Sequence, residues 1–195
     1  MNAFERIVSF VLEEKGYWIR TSVKPNLTRH DKIIMGKPSM PRPEIDLVAY
    51  NPQKNELILI ECKSPPGLSG VSFPNISGEN KTGADRYKLF THPKFREIIS
   101  KRIRREYLEA GLINRKTRIR FGLAAGKIWR EDDVKIKNYF LKKKWVFISP
   151  EEIRHTLLDL SSGCYEDSVI HQVVKLISRK GEPRCVVQEP NATRS

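Results

Sequence analysis

The 195-residue chain is long enough to bury one full hydrophobic core, and its 39% hydrophobic and 30% charged residues are typical of a globular protein. It has no signal peptide and no apolar run approaching the roughly 18–20 residues of a membrane helix, so we expect neither a membrane nor a secreted protein. The net charge of +13 favours a polyanionic partner such as nucleic acid, the alternative being charge that only maintains solubility. Cys62, Cys164 and Cys185 are far apart in sequence, which favours a reducing, cytoplasmic location over a disulfide framework or a zinc site.

The N-terminal segment predicts a helix followed by a strand. Apolar residues at 4, 7, 8, 11 and 12 mark one face of a helix from Ala3 to Lys15, which Gly16 ends. Tyr17–Val23 is rich in strand-forming residues. Pro25–Pro43 is then a long polar connection with no predicted structure of its own, and connections of this length are often functional.

Two apolar runs between Arg42 and Ser64 predict a β-hairpin around the turn Asn51–Asn55. Charged residues interrupt these runs, with Asp46 in the first, and Glu61 and Lys63 at the end of the second. Side chains alternate along a strand, so Glu61 and Lys63 share a face, and an in-register hairpin brings Asp46 beside Glu61. The pattern predicts either a site for a divalent cation and a nucleophile or solvated charges at strand ends.

Beyond the hairpin, the sequence predicts an irregular stretch over 64–92 and then alternating helices and strands. Near the end of that stretch, Arg86-Tyr87-Lys88 predicts either contact with a nucleic-acid strand or core packing through Tyr87 and Phe90. The remaining predicted elements are a helix over 93–108, a strand over 118–125, a helix over 131–144, a strand over 145–148, and helices over 150–160 and 166–179.

The order of these elements predicts an α/β fold with a mixed β-sheet flanked by helices. We interpret residues 1–180 as one domain, with a helical C-terminal extension over 150–180 as the alternative. The tail 181–195 lacks any pattern and is expected to be mobile.

The hairpin residues resemble the motif of the PD-(D/E)xK nuclease superfamily. Asp46 takes the place of the motif's acid, and Glu61-Cys62-Lys63 follows fifteen positions later as its E-x-K element. Two further features are similar to those of Holliday-junction resolvases and restriction-endonuclease-like proteins. They are Glu5 in the first helix and the Gly16-Tyr17 step into the first strand. One feature departs from the motif, because Pro43 is followed by Glu44 and the aspartate comes only at 46.

This resemblance implies a restriction-endonuclease-like fold, with αβββαβ order and extra C-terminal helices, and a catalytic set of Asp46, Glu61 and Lys63. Mg²⁺, replaceable by Mn²⁺, would be held by Asp46, Glu61, the backbone carbonyl of Cys62 and Glu5, with Glu44 as an additional or alternative ligand. Lys63 would position the attacking hydroxide. The implied activity is metal-dependent hydrolysis of phosphodiester bonds in DNA, serving restriction or defence, repair, or junction resolution. The alternative is a non-catalytic nucleic-acid-binding protein that has retained the fold.

Clustered basic residues supply candidate contacts to nucleic acid. Ten Lys or Arg residues against three Glu lie between Lys94 and Arg120, so phosphate contact and a solvated basic helix are both consistent with this segment. Concerted cutting of two strands would require a homodimer, although the sequence identifies no interface. The residues expected to contact nucleic acid are Arg42, Arg86, Lys88, Arg102 and Arg105.

Overall fold

A computed structural model of the chain describes residues 1–36, 38–39, 41–64, 70–161 and 168–178. The strands are β1 (Trp18–Val23), β2 (Ile45–Asn51), β3 (Glu56–Lys63), β4 (Arg118–Ala125) and β5 (Val146–Ile148). The helices are α1 (Ala3–Glu14), α2 (Arg29–Ile34), α3 (Phe73–Ser77), α4 (Lys81–Ala84), α5 (Lys88–Thr91), α6 (Pro93–Glu109), α7 (Asp133–Lys142), α8 (Pro150–Ser161) and α9 (Val169–Ser178). A 3₁₀ turn, Asp85–Tyr87, connects α4 and α5.

The five strands form one mixed sheet in the order β1-β2-β3-β4-β5. The pairs β1–β2 and β2–β3 are antiparallel, whereas β3–β4 and β4–β5 are parallel. In the β2–β3 hairpin, Leu47 lies opposite Ile60 and Asn51 lies opposite Glu56. The predicted α/β class, with a mixed sheet flanked by helices, is therefore confirmed.

Alternation along the strands divides the sheet residues between two apolar layers. Val48, Leu59 and Leu123 belong to a buried cluster with residues of α6, among them Ile99 and Ile103. The amphipathic helix α1 contacts β1, β2 and β3, and buries Val8, Val11 and Leu12. Since α1 takes no part in that cluster, it covers the other face of the sheet.

Helices occupy both connections that the sequence predicts to be irregular, and those two expectations are wrong. Within Pro25–Pro43, Thr28 and Asp31 cap α2 reciprocally, because the Thr28 side chain accepts from the Asp31 amide and the Asp31 carboxylate accepts from the Thr28 amide at 2.8 Å. Within 64–92, the structure contains α3, α4, the 3₁₀ turn and α5. Each has five residues or fewer, which is too short for an apolar period to appear.

The contacts within the chain define two compact units, Met1–Thr156 and Leu157–Ser195. The single domain expected over 1–180 stays a prediction, and the tail 181–195 lies outside the described residues. Among the residues that the structure describes, no helix has both the length and the apolar character that crossing a bilayer requires.

A partly buried ion pair joins α2 to α6 and provides a test of the fold. Arg102 Nε lies 2.7 Å from Asp31 Oδ2. Although burial opposes ionisation, hydrogen bonds from Arg102 and Thr28 lower the pKa of Asp31 to about 2. Because the folded-state pKa is depressed, this pair stabilises the protein above the ordinary aspartate pKa, and the stabilisation disappears as pH falls towards 2.

We expect Asp31→Asn to lower the free energy of unfolding by about 1–2 kcal/mol at pH 7 and by much less near pH 2, measured by urea denaturation. An equal loss of unfolding free energy at both pH values would contradict a stabilising role for the ionised Asp31 carboxylate.

Candidate functional site

The chemistry-bearing residues of the hairpin meet where β2 begins and β3 ends. Asp46 is the second residue of β2, and Glu61 and Lys63 lie among the last three residues of β3. The hairpin register ends at the Leu47–Ile60 pair, and Asp46 and Glu61 are the next residues beyond it on the two strands. The Cys62 amide donates a hydrogen bond of 2.7 Å to Asp46 Oδ2. The hairpin therefore brings the two acids of the motif together, as an in-register pairing requires.

Lys63 forms an ion pair with Glu61 beside an aromatic ring. Lys63 Nζ lies 2.7 Å from Glu61 Oε1, and the two side chains are 30% and 19% exposed. The same ammonium lies 5.8 Å from the centroid of the buried Tyr87 ring. Tyr87 and Phe90 are both core residues, so of the two readings of this segment the structure supports packing. The ion pair is partly shielded from water, and this strengthens it relative to a fully exposed pair.

The three charged groups influence one another's protonation. Burial raises the pKa of Asp46, and the charges of Glu5 and Glu44 raise it further against the opposing effects of the Cys62 amide and Lys63. Burial also raises the pKa of Glu61, with Asp46 adding to the effect and Lys63 opposing it. For Lys63, burial disfavours the ammonium, but Glu61 and Asp46 outweigh it and raise the pKa. Two carboxylates that repel each other in a half-buried site are stabilised by a nearby cation.

The donor atoms at this site are consistent with Mg²⁺. Among the described residues, no three His, Cys, Asp or Glu side chains form a group that could hold a metal ion. Mg²⁺, however, is usually bound through one or two carboxylates, and takes its other oxygens from water and substrate phosphate. Asp46 and Glu61 supply two hard oxygen donors in adjacent strands, so the residues present fit this ion.

Glu5 has a structural task in α1, and the metal-binding role that the resemblance implies stays a prediction. Its two carboxylate oxygens accept hydrogen bonds from the Asn2 amide at 2.9 Å and from Asn2 Nδ2 at 2.6 Å. Asn2 and Glu5 thus form the capping box of α1, a spacing that the sequence already contains. Glu5 acts on Asp46 through its charge, which contributes to the raised pKa of Asp46.

Glu44 also has a partner outside the Asp46–Glu61 pair. Its carboxylate lies 3.0 Å from Lys24 Nζ, and hydrogen bonds from Ser22 and Lys24 lower the pKa of Glu44. Between the two acids that the sequence leaves open, the geometry favours Asp46, because its carboxylate accepts from the amide of Cys62, the residue next to Glu61. Cys62 is 7% exposed, and its amide, rather than its thiol, contacts Asp46.

A cavity of about 400 Å³, hereafter the Asp46 cavity, opens beside these residues. Three of the cations expected to contact nucleic acid, Arg42, Arg86 and Lys88, line it together with Asp46 and Glu61. Several further residues outside the motif line this cavity, and Asp85 carries no sequence pattern by which it could be found. These further residues are Pro41, Pro43, Ile45, Ile60, Asp85, Leu89 and Phe95.

The structure places Arg102 and Arg105, the other two expected contacts, outside the Asp46 cavity. Arg102 pairs with Asp31, and Arg105 Nε lies 2.7 Å from Glu109 Oε1. Other arginines of the basic segment also serve the fold. Arg96 donates to two backbone carbonyls and stacks on Trp145 at 4.9 Å, and Arg120 pairs with the buried Glu56 at 3.2 Å. A count of charges in the sequence therefore overstates the charge available to a ligand.

Comparisons with known proteins found a solved structure of low similarity. No protein-family model matches the chain, and no curated protein matches it. A crystal structure of a protein of unknown function, AF1548, is similar over 90% of this chain and 78% of its own length, at 16% identity and a TM-score of 0.44. A similarity this low carries no argument about fold family or activity.

Proposed function

We propose that the protein is a Mg²⁺-dependent endonuclease of the PD-(D/E)xK type, with a restriction-endonuclease-like fold, that hydrolyses phosphodiester bonds in DNA. One observation carries the proposal: Asp46 and Glu61 lie on neighbouring strands at one end of the hairpin, with Lys63 Nζ 2.7 Å from Glu61, beside a cavity lined by three cations. Paired acids with perturbed pKa values in a cleft are typical of catalytic sites. Here the cavity also contains the positive charge that a phosphate requires.

In this proposal Asp46 and Glu61 would hold Mg²⁺, with the backbone carbonyl of Cys62 as a further ligand. Bound Mg²⁺ would polarise the phosphoryl oxygen and lower the pKa of a coordinated water. The Cys62 amide holds the carboxylate of Asp46 in place through its 2.7 Å hydrogen bond. Because this bond links neighbouring strands, Asp46 and Glu61 keep their relative position without depending on a loop.

Lys63 has the protonation state and the position to serve the nucleophile. Its ammonium has three N–H donors, of which the contact with Glu61 uses one. The raised pKa keeps Lys63 protonated at neutral pH. A donor fixed in this way can orient the attacking water and stabilise negative charge that develops on the phosphoryl oxygens.

Arg42, Arg86 and Lys88 complete the proposed site by binding the nucleic-acid backbone. All three line the Asp46 cavity, where phosphate would otherwise meet four carboxylates, those of Glu44, Asp46, Glu61 and Asp85. Each phosphate neutralised by such a cation contributes about −0.9 to the slope of log affinity against log salt on duplex DNA. Affinity for DNA is therefore expected to fall steeply with ionic strength.

Cleavage of nucleic acid with and without a divalent cation tests the proposal. The full chain is incubated with supercoiled plasmid, single-stranded DNA and RNA, each in Mg²⁺, in Mn²⁺ and in EDTA. We expect nicked or linear plasmid in Mg²⁺ and Mn²⁺, and intact plasmid in EDTA. Cleavage that persists in EDTA would contradict the metal dependence. Salt-sensitive binding without cleavage in either metal would instead support the non-catalytic alternative.

A further inference from the structure

A second cavity of about 400 Å³, hereafter the α2–α6 cavity, lies next to the Asp46 cavity. Both cavities are lined by Lys88 and Phe95, which therefore form a common wall. A contact of 3.5 Å between His92 Nε2 and Asp85 Oδ1 also joins a residue of the second cavity to a residue of the first. The two cavities are therefore close enough for one extended ligand to contact both. The α2–α6 cavity is lined by Ile34, Met35, Lys88, His92, Pro93, Lys94 and Phe95.

The chemistry of the α2–α6 cavity differs from that of the Asp46 cavity. Its described lining contains no carboxylate, whereas four carboxylates line the Asp46 cavity. Apolar side chains from α2 and α6, Ile34 and Phe95, are combined with the ammonium groups of Lys88 and Lys94. Such a lining accepts a flat, weakly polar group that has negative charge attached to it.

We propose that the α2–α6 cavity binds an unpaired base of the nucleotide adjacent to the scissile phosphate, and so directs the enzyme to substrates with unpaired nucleotides. This inference rests on the proposed nuclease function. A base combines an apolar face with neighbouring phosphates, which matches the apolar side chains and the two lysines. Lys88, common to both cavities, lies where the phosphate between the two nucleotides would pass.

A base can enter this cavity only when it is not paired within a duplex. A base within duplex DNA is stacked and paired, and removing it from the stack costs a few kcal/mol. A base in an overhang, a flap or a junction arm is already free of its partner. The α2–α6 cavity therefore favours such substrates over blunt duplex, and the preference follows from the base rather than from its sequence.

Two neighbouring isoleucines of α2 provide a matched pair of variants. Ile34 lines the α2–α6 cavity and is 43% exposed, whereas Ile33 lines none of the described cavities and is 53% exposed. Both side chains are exposed enough for glutamate to be tolerated without unfolding. Ile34→Glu places a carboxylate in the cavity, and Ile33→Glu adds the same charge to the same helix outside it.

Binding in EDTA tests the inference independently of cleavage. The fluorescence anisotropy of a labelled oligo-dT strand is measured with the wild type and both variants, after circular dichroism has shown equal thermal midpoints. We expect Ile34→Glu to weaken binding about tenfold relative to Ile33→Glu, because its carboxylate repels the phosphates and removes apolar contact with the base. Equal binding by the two variants would overturn the inference.

Cleavage in Mg²⁺ separates failure of this inference from failure of the proposed function. A duplex with a five-nucleotide overhang and a blunt duplex of the same sequence are compared as substrates. We expect the wild type and Ile33→Glu to cut the overhang substrate about tenfold faster than the blunt duplex. For Ile34→Glu we expect the two cleavage rates to be nearly equal. Cleavage without substrate preference would overturn the cavity assignment alone, whereas absence of all cleavage would overturn the nuclease proposal.

Discussion

Replacing Lys63 with methionine is expected to lower the rate of DNA cleavage by at least about 100-fold, the lower range for removing a positioned acid–base group. Methionine retains the length of the side chain but removes the ammonium, which lies 2.7 Å from Glu61. DNA affinity should change little, because Arg42, Arg86 and Lys88 line the cavity independently. Single-turnover cleavage of a labelled duplex gives the rate, and anisotropy in EDTA gives the affinity.

A control for the loss of one positive charge is Lys101→Met, since Lys101 lies on the exposed surface of α6. We expect this variant to cleave DNA at the wild-type rate. If Lys63→Met retained that rate as well, or lost binding and cleavage to the same degree, Lys63 would not have the assigned role. Glu61 loses its ion-pair partner in Lys63→Met, so a lower thermal midpoint is expected and must be measured alongside.

Replacing Asp46 with asparagine is expected to abolish cleavage and to raise the thermal midpoint at neutral pH. Asparagine retains an oxygen that can accept from the Cys62 amide, but it cannot supply an anionic ligand. The raised pKa of Asp46 shows that burial and the neighbouring acids Glu5 and Glu44 oppose its charge. Removing that charge relieves the repulsion, and a gain of about 1 kcal/mol would raise the midpoint by roughly 2–4 °C in a chain of this size.

The pH dependence of the midpoint separates this effect from a change in packing. A raised folded-state pKa costs stability as pH increases from the ordinary aspartate value, 3.8, through the folded-state value. The midpoint difference between Asp46→Asn and wild type should therefore be small near pH 4 and should grow towards pH 7. A difference that does not vary with pH would contradict the electrostatic explanation.

Glu44→Gln provides a control with the opposite sign. Ser22 and Lys24 lower the pKa of Glu44, so neutralising this side chain removes a favourable interaction. Since the Glu44–Lys24 pair is exposed, the midpoint should fall only slightly. We expect Glu44→Gln to retain most of the cleavage activity. A loss as large as that of Asp46→Asn would make Glu44 the principal ligand.

The hairpin could be predicted from the sequence because two local rules determine it. Apolar runs around Asn51–Asn55 define the strands, and the alternation of side chains fixes which residues face each other. Together they predicted Asp46 beside Glu61 and Lys63 on the face of Glu61; in the structure both acids line the Asp46 cavity and Lys63 pairs with Glu61. The order of helices and strands, which local apolar patterns also determine, likewise predicted the mixed sheet.

The surroundings of the hairpin depend on partners that are distant in sequence. The ion pair between Arg102 and Asp31 joins α6 to a helix that the apolar pattern does not reveal, so charge alone did not show that Arg102 has a partner within the fold. Glu5 was expected at the metal because of its position in α1. Its spacing from Asn2 also matches a capping box, and the sequence alone does not decide between the two roles.

Binding of Mn²⁺ tests the central claim most directly, because it requires no knowledge of the substrate. Free Mn²⁺ is followed by electron paramagnetic resonance during titration of the wild type, Asp46→Asn, Glu61→Gln and the exposed control Glu97→Gln. We predict that the wild type and Glu97→Gln bind Mn²⁺ with the same affinity, and that either of the other substitutions weakens binding at least about tenfold. Equal Mn²⁺ affinity in all four proteins would contradict a metal site at Asp46 and Glu61.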